Sequence, residues 1–293
     1  MTVNGTLHHI ADGDYSATVA TGGATLVALT RGGEDLIATF DAEAEVGVGY
    51  KGRVLAPWPN RIADGRYTWA GVEYQLGVNE PATGTALHGL ALWMPWEVVR
   101  HDGTAITLSL AMPGSLGYPF PLELEITYAV DAETGLAVRF IARNAGNVAA
   151  PVGLSLHPYL TLGDRPVDAF TLALEAERYL AVDDRLLPTG LVDVAGTPLD
   201  FRGGAPLDGV FVDHAYAAPA GDWEAVLRGP DGAVGVASDA PWVQVHTADA
   251  MGRICLAVEP MTCPPDAFNG PADAVALAPG AVRELTFGIR ALD

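Results

Sequence analysis

Short alternating or apolar runs recur along the whole chain, and turn-forming residues interrupt each one before it reaches helical length. The clearest are Tyr15 to Val19, Thr25 to Leu29, Ile106 to Ala111, Leu122 to Val130, Leu136 to Ala142, Phe170 to Ala176 and Glu284 to Ile289. In an extended chain every second side chain lies on the same face, so such a run marks a strand with one buried side. Between the runs stand Arg31-Gly32-Gly33, Asp102-Gly103, Ala145-Gly146-Asn147 and Pro230-Asp231-Gly232. These residues supply left-handed or fixed backbone angles and side-chain-to-backbone hydrogen bonds, as tight turns require. Neither a sustained amphipathic helix nor the strand–helix alternation of a parallel α/β fold is present. No internal repeat or low-complexity linker divides the chain. The pattern predicts an all-β protein, a large antiparallel β-sandwich in which residues 1–293 form a single domain.

Composition narrows the class of partner. With 49% hydrophobic and 18% charged residues, the 293-residue chain can build a sizeable packed core. Its 36 acidic against 16 basic residues give a formal charge of −20. That leaves no basic field to hold phosphates, so neither nucleic acid nor an anionic membrane is an expected partner. Cys255 and Cys263 are the only cysteines, too few for a disulfide framework or a zinc motif. Gly22-Gly23 and Gly32-Gly33 match neither a P-loop nor a dinucleotide fingerprint. No apolar run is long enough to span a bilayer, and Met1 to His9 lacks the basic and apolar regions of a secretory signal. A cytoplasmic protein, monomeric or homodimeric, is the expectation.

Three strand-like segments share a further property: one face is apolar and the other is small or polar. In Ile254-Cys255-Leu256-Ala257-Val258-Glu259-Pro260, Ile254, Leu256 and Val258 fall on one face and Cys255, Ala257 and Glu259 on the other. Glu259 is expected to end this strand, with Pro260, Pro264 and Pro265 stiffening the loop that runs to Asn269. In the second segment Val152, Leu154 and Leu156 oppose Gly153, Ser155 and His157, and Pro158 follows. In the third, Trp242, Gln244 and His246 share one face, with Val243 and Val245 on the other. Each has a plain structural explanation when taken alone. A carboxylate at a strand end usually meets solvent, and a strand histidine is usually a satisfied structural group. Two strands built alike, each closing on a titratable group followed by proline, predict that Glu259 and His157 act together.

Other polar residues extend the set. Arg61, after Asn60, can fork two hydrogen bonds onto neighbouring oxygens, or it can form a surface ion pair. His88 precedes Gly89, where a missing Cβ lets a ligand or another backbone come close. Asp213, or Asp208 in the same segment, adds a carboxylate. Trp93, Trp96, Trp242 and His246 fit either a cleft wall or the core. A Glu/His pair without a nucleophile suits proton transfer, and the G-x-S-x-G elbow of a serine hydrolase is missing. Three histidines with a glutamate would allow a cupin-like metal site, but the H-x-H spacing is absent. Glu259 with Asp213 leaves a glycosidase open. The donors and acceptors together fit a neutral, hydroxyl-rich ligand.

In order along the chain, Asn60-Arg61-Ile62, Leu87-His88-Gly89, His157-Pro158-Tyr159, Leu187-Pro188-Thr189-Gly190, Asp213-His214-Ala215-Tyr216 and Glu259-Pro260 through Asn269 resemble the motifs of the aldose 1-epimerase (galactose mutarotase) family. The last run is the most specific and resembles the mutarotase-related bacterial branch. The resemblance implies a galactose mutarotase-like supersandwich with a sugar cleft on one sheet. It implies interconversion of the α and β anomers of a free neutral aldose, without cofactor or metal. By motif, Glu259 takes the general-base position and His157 the general-acid position. Arg61, His88 and Asp213 take substrate-binding positions, and Asn60 and Gln244 are added to them as polar groups able to bond sugar hydroxyls. Such a pair calls for an ionised carboxylate beside a charged imidazole, a state that their proximity favours. Two other readings stand beside it. One is a non-catalytic carbohydrate-binding or regulatory protein, which would need no matched acid and base. The other is a hexose-6-phosphate 1-epimerase, against which the scarcity of basic residues argues.

Overall fold

The alternation from Leu122 to Val130 becomes the strand Leu122–Asp131, buried at every second residue. It pairs along its length with Ala105–Met112 on one side and Gly135–Asn144 on the other. The computed structural model describes residues 2–230 and 232–292, so Asp231 in the expected Pro230-Asp231-Gly232 turn lies outside the described residues. Every pairing between strands among those residues is antiparallel, as short turn-rich connections require. The helical elements among them are single 3-10 turns of three residues, such as Val48–Tyr50 and Ala91–Trp93.

Two large sheets dominate. A nine-stranded sheet is built around Ala105–Met112, Leu122–Asp131, Gly135–Asn144 and Val282–Leu292. An eight-stranded sheet runs from Pro188–Asp193 through Arg178–Val182, Asp213–Ala217, Trp242–His246, Leu256–Met261 and Ser155–Leu156 to Val54–Leu55, and Tyr159–Leu160 also pairs with Leu256–Met261. Leu108, Ile126, Phe140 and Val236 from the first sheet share one buried cluster with Leu156, Val243, Val245, Leu256 and Val258 from the second. The large β-sandwich expected from the alternation is therefore the observed architecture. Each Leu or Val side chain taken from water into that core contributes about 1.5–3 kcal/mol before the entropy of ordering is subtracted.

Three expectations need correction. The strand carrying Glu259 does not end there: it spans Leu256–Met261, and Pro260 sits opposite Val243. Proline has no N–H to give, but its fixed φ suits an extended chain, and its carbonyl accepts from Ser155 Oγ at 2.8 Å. Ile254 lies outside the strand and is exposed, because Gly252 and Arg253 before it both take left-handed backbone angles and break the extension. Phe170 to Ala176 shortens to Thr171–Ala173, since the Phe170 N–H closes a turn onto the Val167 carbonyl and Leu174 bonds to Phe201 instead.

Candidate active site

Cross-strand register fixes which side chains meet on the outer face of the eight-stranded sheet. Asp213 sits opposite His246, His246 opposite Ala257, and Ala257 opposite Tyr159, making one row. The next row holds Ala215, Gln244 and Glu259. The expected division of faces therefore holds for Glu259, Gln244 and His246. The small Ala257 and Ala215 leave open space beside the longer polar groups. His157 lies between the strands Ser155–Leu156 and Tyr159–Leu160. Its backbone is pinned at both ends: its N–H donates to the Arg53 carbonyl at 3.0 Å, and its carbonyl accepts from the Gly52 N–H at 2.8 Å. Its ring stacks on Tyr159 at 4.7 Å between centroids.

This face floors a cleft of about 310 Å³ that takes in Asn60, Arg61, His88, His157, Asp213 and Glu259. A larger concavity, about 880 Å³ beside Leu162 and Phe170, contains none of them. Gln244 lies beneath the cleft and donates from Nε2 to Asp213 Oδ1 at 2.6 Å. His246 lines it, with Nδ1 3.8 Å from Asp213 Oδ1. Asp208 is exposed and outside the cleft, which leaves Asp213 as the acid of that segment. Trp96 is core, Trp242 packs on Leu180, Ala215 and Met261, and Trp93 is exposed under the Arg53 guanidinium. The aromatic surface of the cleft comes instead from Tyr50, Tyr159 and Phe211.

The two loop motifs reach the cleft as one unit. Arg61–Ala63 pairs with Thr85–Leu87, placing Arg61 opposite Leu87. Just beyond that pairing the Asn60 N–H donates to His88 Nδ1 at 3.2 Å, and the His88 N–H donates to the Asn60 carbonyl at 2.9 Å. Both residues hold positive φ, 55° for Asn60 and 66° for His88. Such strain in non-glycine residues persists where surrounding structure over-determines it. Because His88 Nδ1 accepts, the neutral ring carries its proton on Nε2. Burial, then the charges of Arg61 and His246, keep its pKa well below the ordinary value.

Glu259 Oε1 stands 3.3 Å from His157 Nε2, with both side chains almost wholly buried. Burial, reinforced by the negative charge of Asp213, pushes the Glu259 carboxyl well above the usual carboxylate range. Burial, together with His88 and His246, pushes His157 well below the usual imidazole value. The unliganded cleft thus favours the uncharged form of each partner, and the expected carboxylate–imidazolium state is not the one its environment selects. The proton count is the same in both descriptions. A carboxylic acid with a neutral imidazole and a carboxylate with an imidazolium each hold one proton, on different sides of a 3.3 Å gap.

Four buried polar atoms at this site have no hydrogen-bond partner in the protein: His157 Nδ1, Glu259 Oε2, Gln244 Oε1 and His246 Nδ1. Among the described residues the only other side-chain atom of this kind is Arg53 Nε. A buried polar atom left unpaired costs about 1–3 kcal/mol. Four in one place set this cluster apart from the rest of the described residues. Among the described residues no group of three or more His, Cys, Asp or Glu side chains is spaced to hold a metal ion.

Two residues at the site were given no role from the sequence. Glu80 clamps Arg61 through two hydrogen bonds of 2.7 and 3.0 Å, and is itself held by Thr83 and Thr85 hydroxyls at 2.5 and 2.8 Å. Burial works against the Arg61 charge, but its hydrogen-bonded Glu80 and nearby Asp213 outweigh it and raise the Arg61 pKa. Tyr50, held at φ 62°, meets the edge of His88 at 4.7 Å and lies over His157 at 6.5 Å. The available signals were faint: a glutamate with two threonines close behind, and a tyrosine among Gly47, Gly49 and Gly52.

Comparison with known proteins adds to this geometry. The family model described as Aldose 1-epimerase matches residues 6–290. The chain is 40% identical over 282 residues to the uncharacterized protein YihR of Escherichia coli (strain K12), covering 96% of this chain and 91% of that one. It is 35% identical over 165 residues to galactose mutarotase of Rattus norvegicus, a match spanning 52% of this chain and 45% of the rat protein. In three dimensions it superposes on the GalM/aldose epimerase homologue from C. elegans with a TM-score of 0.87, at 22% identity, covering 98% of this chain and 99% of the other.

Proposed function

The chain belongs to the aldose 1-epimerase family, and we propose that it interconverts the α and β anomers of a free, unphosphorylated aldose, with Glu259 and His157 moving the protons. The observation that carries this reading is the buried carboxyl 3.3 Å from a buried imidazole, each with its far polar atom unpartnered. A protein that only held a sugar would need Arg61, Asp213 and Gln244, but not a desolvated acid–base pair.

Anomerisation requires the C1 hydroxyl to lose a proton while the ring oxygen gains one. In the working state the pair's single proton sits on His157. Glu259 takes the proton from the C1 hydroxyl as the C1–O bond becomes a carbonyl. The bond from C1 to the ring oxygen breaks, and that oxygen takes the proton of His157. The open aldehyde turns about its C1–C2 bond. The ring then closes on the other face, the ring oxygen returns its proton to His157, and Glu259 protonates the new C1 hydroxyl. The charge of Arg61 works against the raised Glu259 pKa. Sugar hydroxyls entering the cleft supply the polar contacts that the carboxylate and imidazolium lack when it is empty. Positioned proton donors and acceptors of this kind contribute ~10²–10⁴-fold each.

Substrate charge is also constrained. The arginine lining the cleft has its charge already paired with Glu80 and faces Asp213, so a phosphate there would meet two carboxylates and a guanidinium that is already neutralised. That favours a free sugar over its 6-phosphate. The test is polarimetry on freshly dissolved α-glucose, α-galactose and a wider panel that includes hexose 6-phosphates, using wild type beside Glu259→Gln and His157→Asn. Acceleration that collapses in both variants is expected. Unchanged rates in both would overturn the mechanism. A wild type that binds sugar calorimetrically, yet is no faster than buffer on any sugar, would overturn the activity.

A further inference from the structure

Arg61 and Asp213 face each other across the cleft without closing. Arg61 Nη1 is 3.7 Å from Asp213 Oδ2, beyond hydrogen-bond length, although both side chains are about nine-tenths buried. Opposite charges in such a place attract strongly, so something holds them apart. Each is tied from behind. Glu80 takes Arg61 Nε–H at 2.7 Å and one Nη2–H at 3.0 Å, and Gln244 Nε2 donates to Asp213 Oδ1 at 2.6 Å. Glu80 is fixed in turn by the hydroxyls of Thr83 and Thr85 and by a backbone bridge to Thr85. What remains facing the cleft is one donor nitrogen, Arg61 Nη1, and one acceptor oxygen, Asp213 Oδ2.

We propose that Glu80 is a positioning residue: it holds Arg61 off Asp213, so that the two grip a single sugar hydroxyl between them. A hydroxyl oxygen about 2.8 Å from each would span the gap, accepting from Arg61 and donating to Asp213. Without the Glu80 carboxylate, Arg61 swings onto Asp213, and the donor and acceptor are spent on each other. The inference rests on the sugar-binding reading given above, but its structural half does not depend on any activity.

Two measurements decide it. The sugar-free crystal structure of Glu80→Gln should show the Arg61–Asp213 gap closed to about 2.9 Å. A gap unchanged from the 3.7 Å of the parent overturns the proposal, whatever the enzyme does. In kinetics, Glu80→Gln should raise KM about tenfold with kcat little changed, and Glu80→Asp, which keeps the charge, should restore most of the loss. A role in folding alone would lower the melting temperature and leave KM where it was. In an Asp213→Asn background Glu80→Gln should add almost nothing, because the competing anion is gone; an equal fold-rise in both backgrounds overturns the proposal. If Glu80→Gln does not fold, Thr85→Val loosens Glu80 with its charge intact and should raise KM in the same direction. A wild type inactive on every sugar would defeat the functional reading alone, and the crystallographic distance would still judge Glu80.

Discussion

Glu259 Oε1 and His157 Nε2 are 3.3 Å apart on the outer face of a sheet whose inner face is solid core. The two arrive by different routes. Glu259 is placed by cross-strand register beside Gln244. His157 is placed by backbone bonds to Gly52 and Arg53 at a break between two short strands. The Leu256–Met261 strand is buried at every residue, so the carboxyl cannot swing away to water, and proton transfer benefits from that fixed geometry.

Removing either member of the pair should therefore abolish turnover while sparing the fold. Glu259→Gln keeps volume, and His157→Asn keeps a polar nitrogen on a smaller side chain, but neither can exchange a proton at the required atom. A fall in kcat of ~10²–10⁴-fold is expected for each, measured by polarimetry or by NMR exchange between anomers. The double variant should be little slower than the worse single one, because the two residues serve one proton relay.

Much of this was legible in the sequence because strand alternation records which side chains share a face. Leu122 to Val130 and the Trp242–His246 strand follow the two-residue period, whereas the segment before His157 keeps Val152, Leu154 and Leu156 in the core but is a strand only at Ser155–Leu156. Alternation does not report where a strand stops. Pro260 suggested an end, but a proline whose carbonyl alone is used fits inside the strand, while Gly252 and Arg253 delayed the beginning past Ile254. It is also silent about residues brought in by loops. Glu80 and Tyr50 reach the cleft through turns whose course depends on packing, so nothing periodic marked them. The protonation state of the empty cleft was hidden for a related reason. Proximity of opposite charges is readable from a motif, whereas the desolvation that opposes it depends on burial that only the fold supplies.

The pair should leave a signature in the pH dependence of stability. Unfolded, Glu259 titrates near 4.5 and His157 near 6.5. Folded, the first is raised and the second lowered, so the pair holds one proton through the range between. Below about pH 4.5 the unfolded pair binds two protons and the folded pair one, so stability rises with pH. Between about 4.5 and 6.5 each state holds one and the contribution is flat. Above about 6.5 the unfolded pair holds none, and stability falls as pH rises toward the folded Glu259 pKa. Urea unfolding of wild type against Glu259→Gln/His157→Asn should show this plateau as the difference between the two. A difference independent of pH from 4 to 8 would contradict the opposed shifts.

Asp213 offers a different kind of test. Asp213→Asn is isosteric and leaves one oxygen to accept from Gln244, so the melting temperature should hold. The variant removes the negative charge that pushes the Glu259 pKa upward and exchanges an acceptor facing the cleft for an amide. KM should rise about tenfold. The pH profile of kcat should also move, its acidic limb shifting to lower pH as Glu259 ionises more readily. A change in KM with an unmoved acidic limb would show that Asp213 binds sugar without tuning Glu259.

Gly89 tests whether the loop that carries His88 is fixed by packing or by backbone angle. Its φ is +79°, and a Cβ added there would lie 2.1 Å from the Ala56 carbonyl oxygen and 2.9 Å from Pro57 N. That same oxygen accepts the Leu90 and Ala91 N–H groups at 2.8 and 3.0 Å. Gly71 has a similar φ of +80° but nothing within 4 Å of the added carbon. Gly71→Ala should therefore report angle strain alone, about 1 kcal/mol by urea unfolding. Gly89→Ala adds the clash to the strain and should cost ~3 kcal/mol. To relieve it the loop must back away from Ala56 and Pro57, taking His88 out of its paired hydrogen bonds with Asn60. Sugar affinity should then fall in Gly89→Ala even below the unfolding temperature, and stay unchanged in Gly71→Ala. Equal stability losses in the two variants would mean that the close approach of Ala56 does not hold His88 in place.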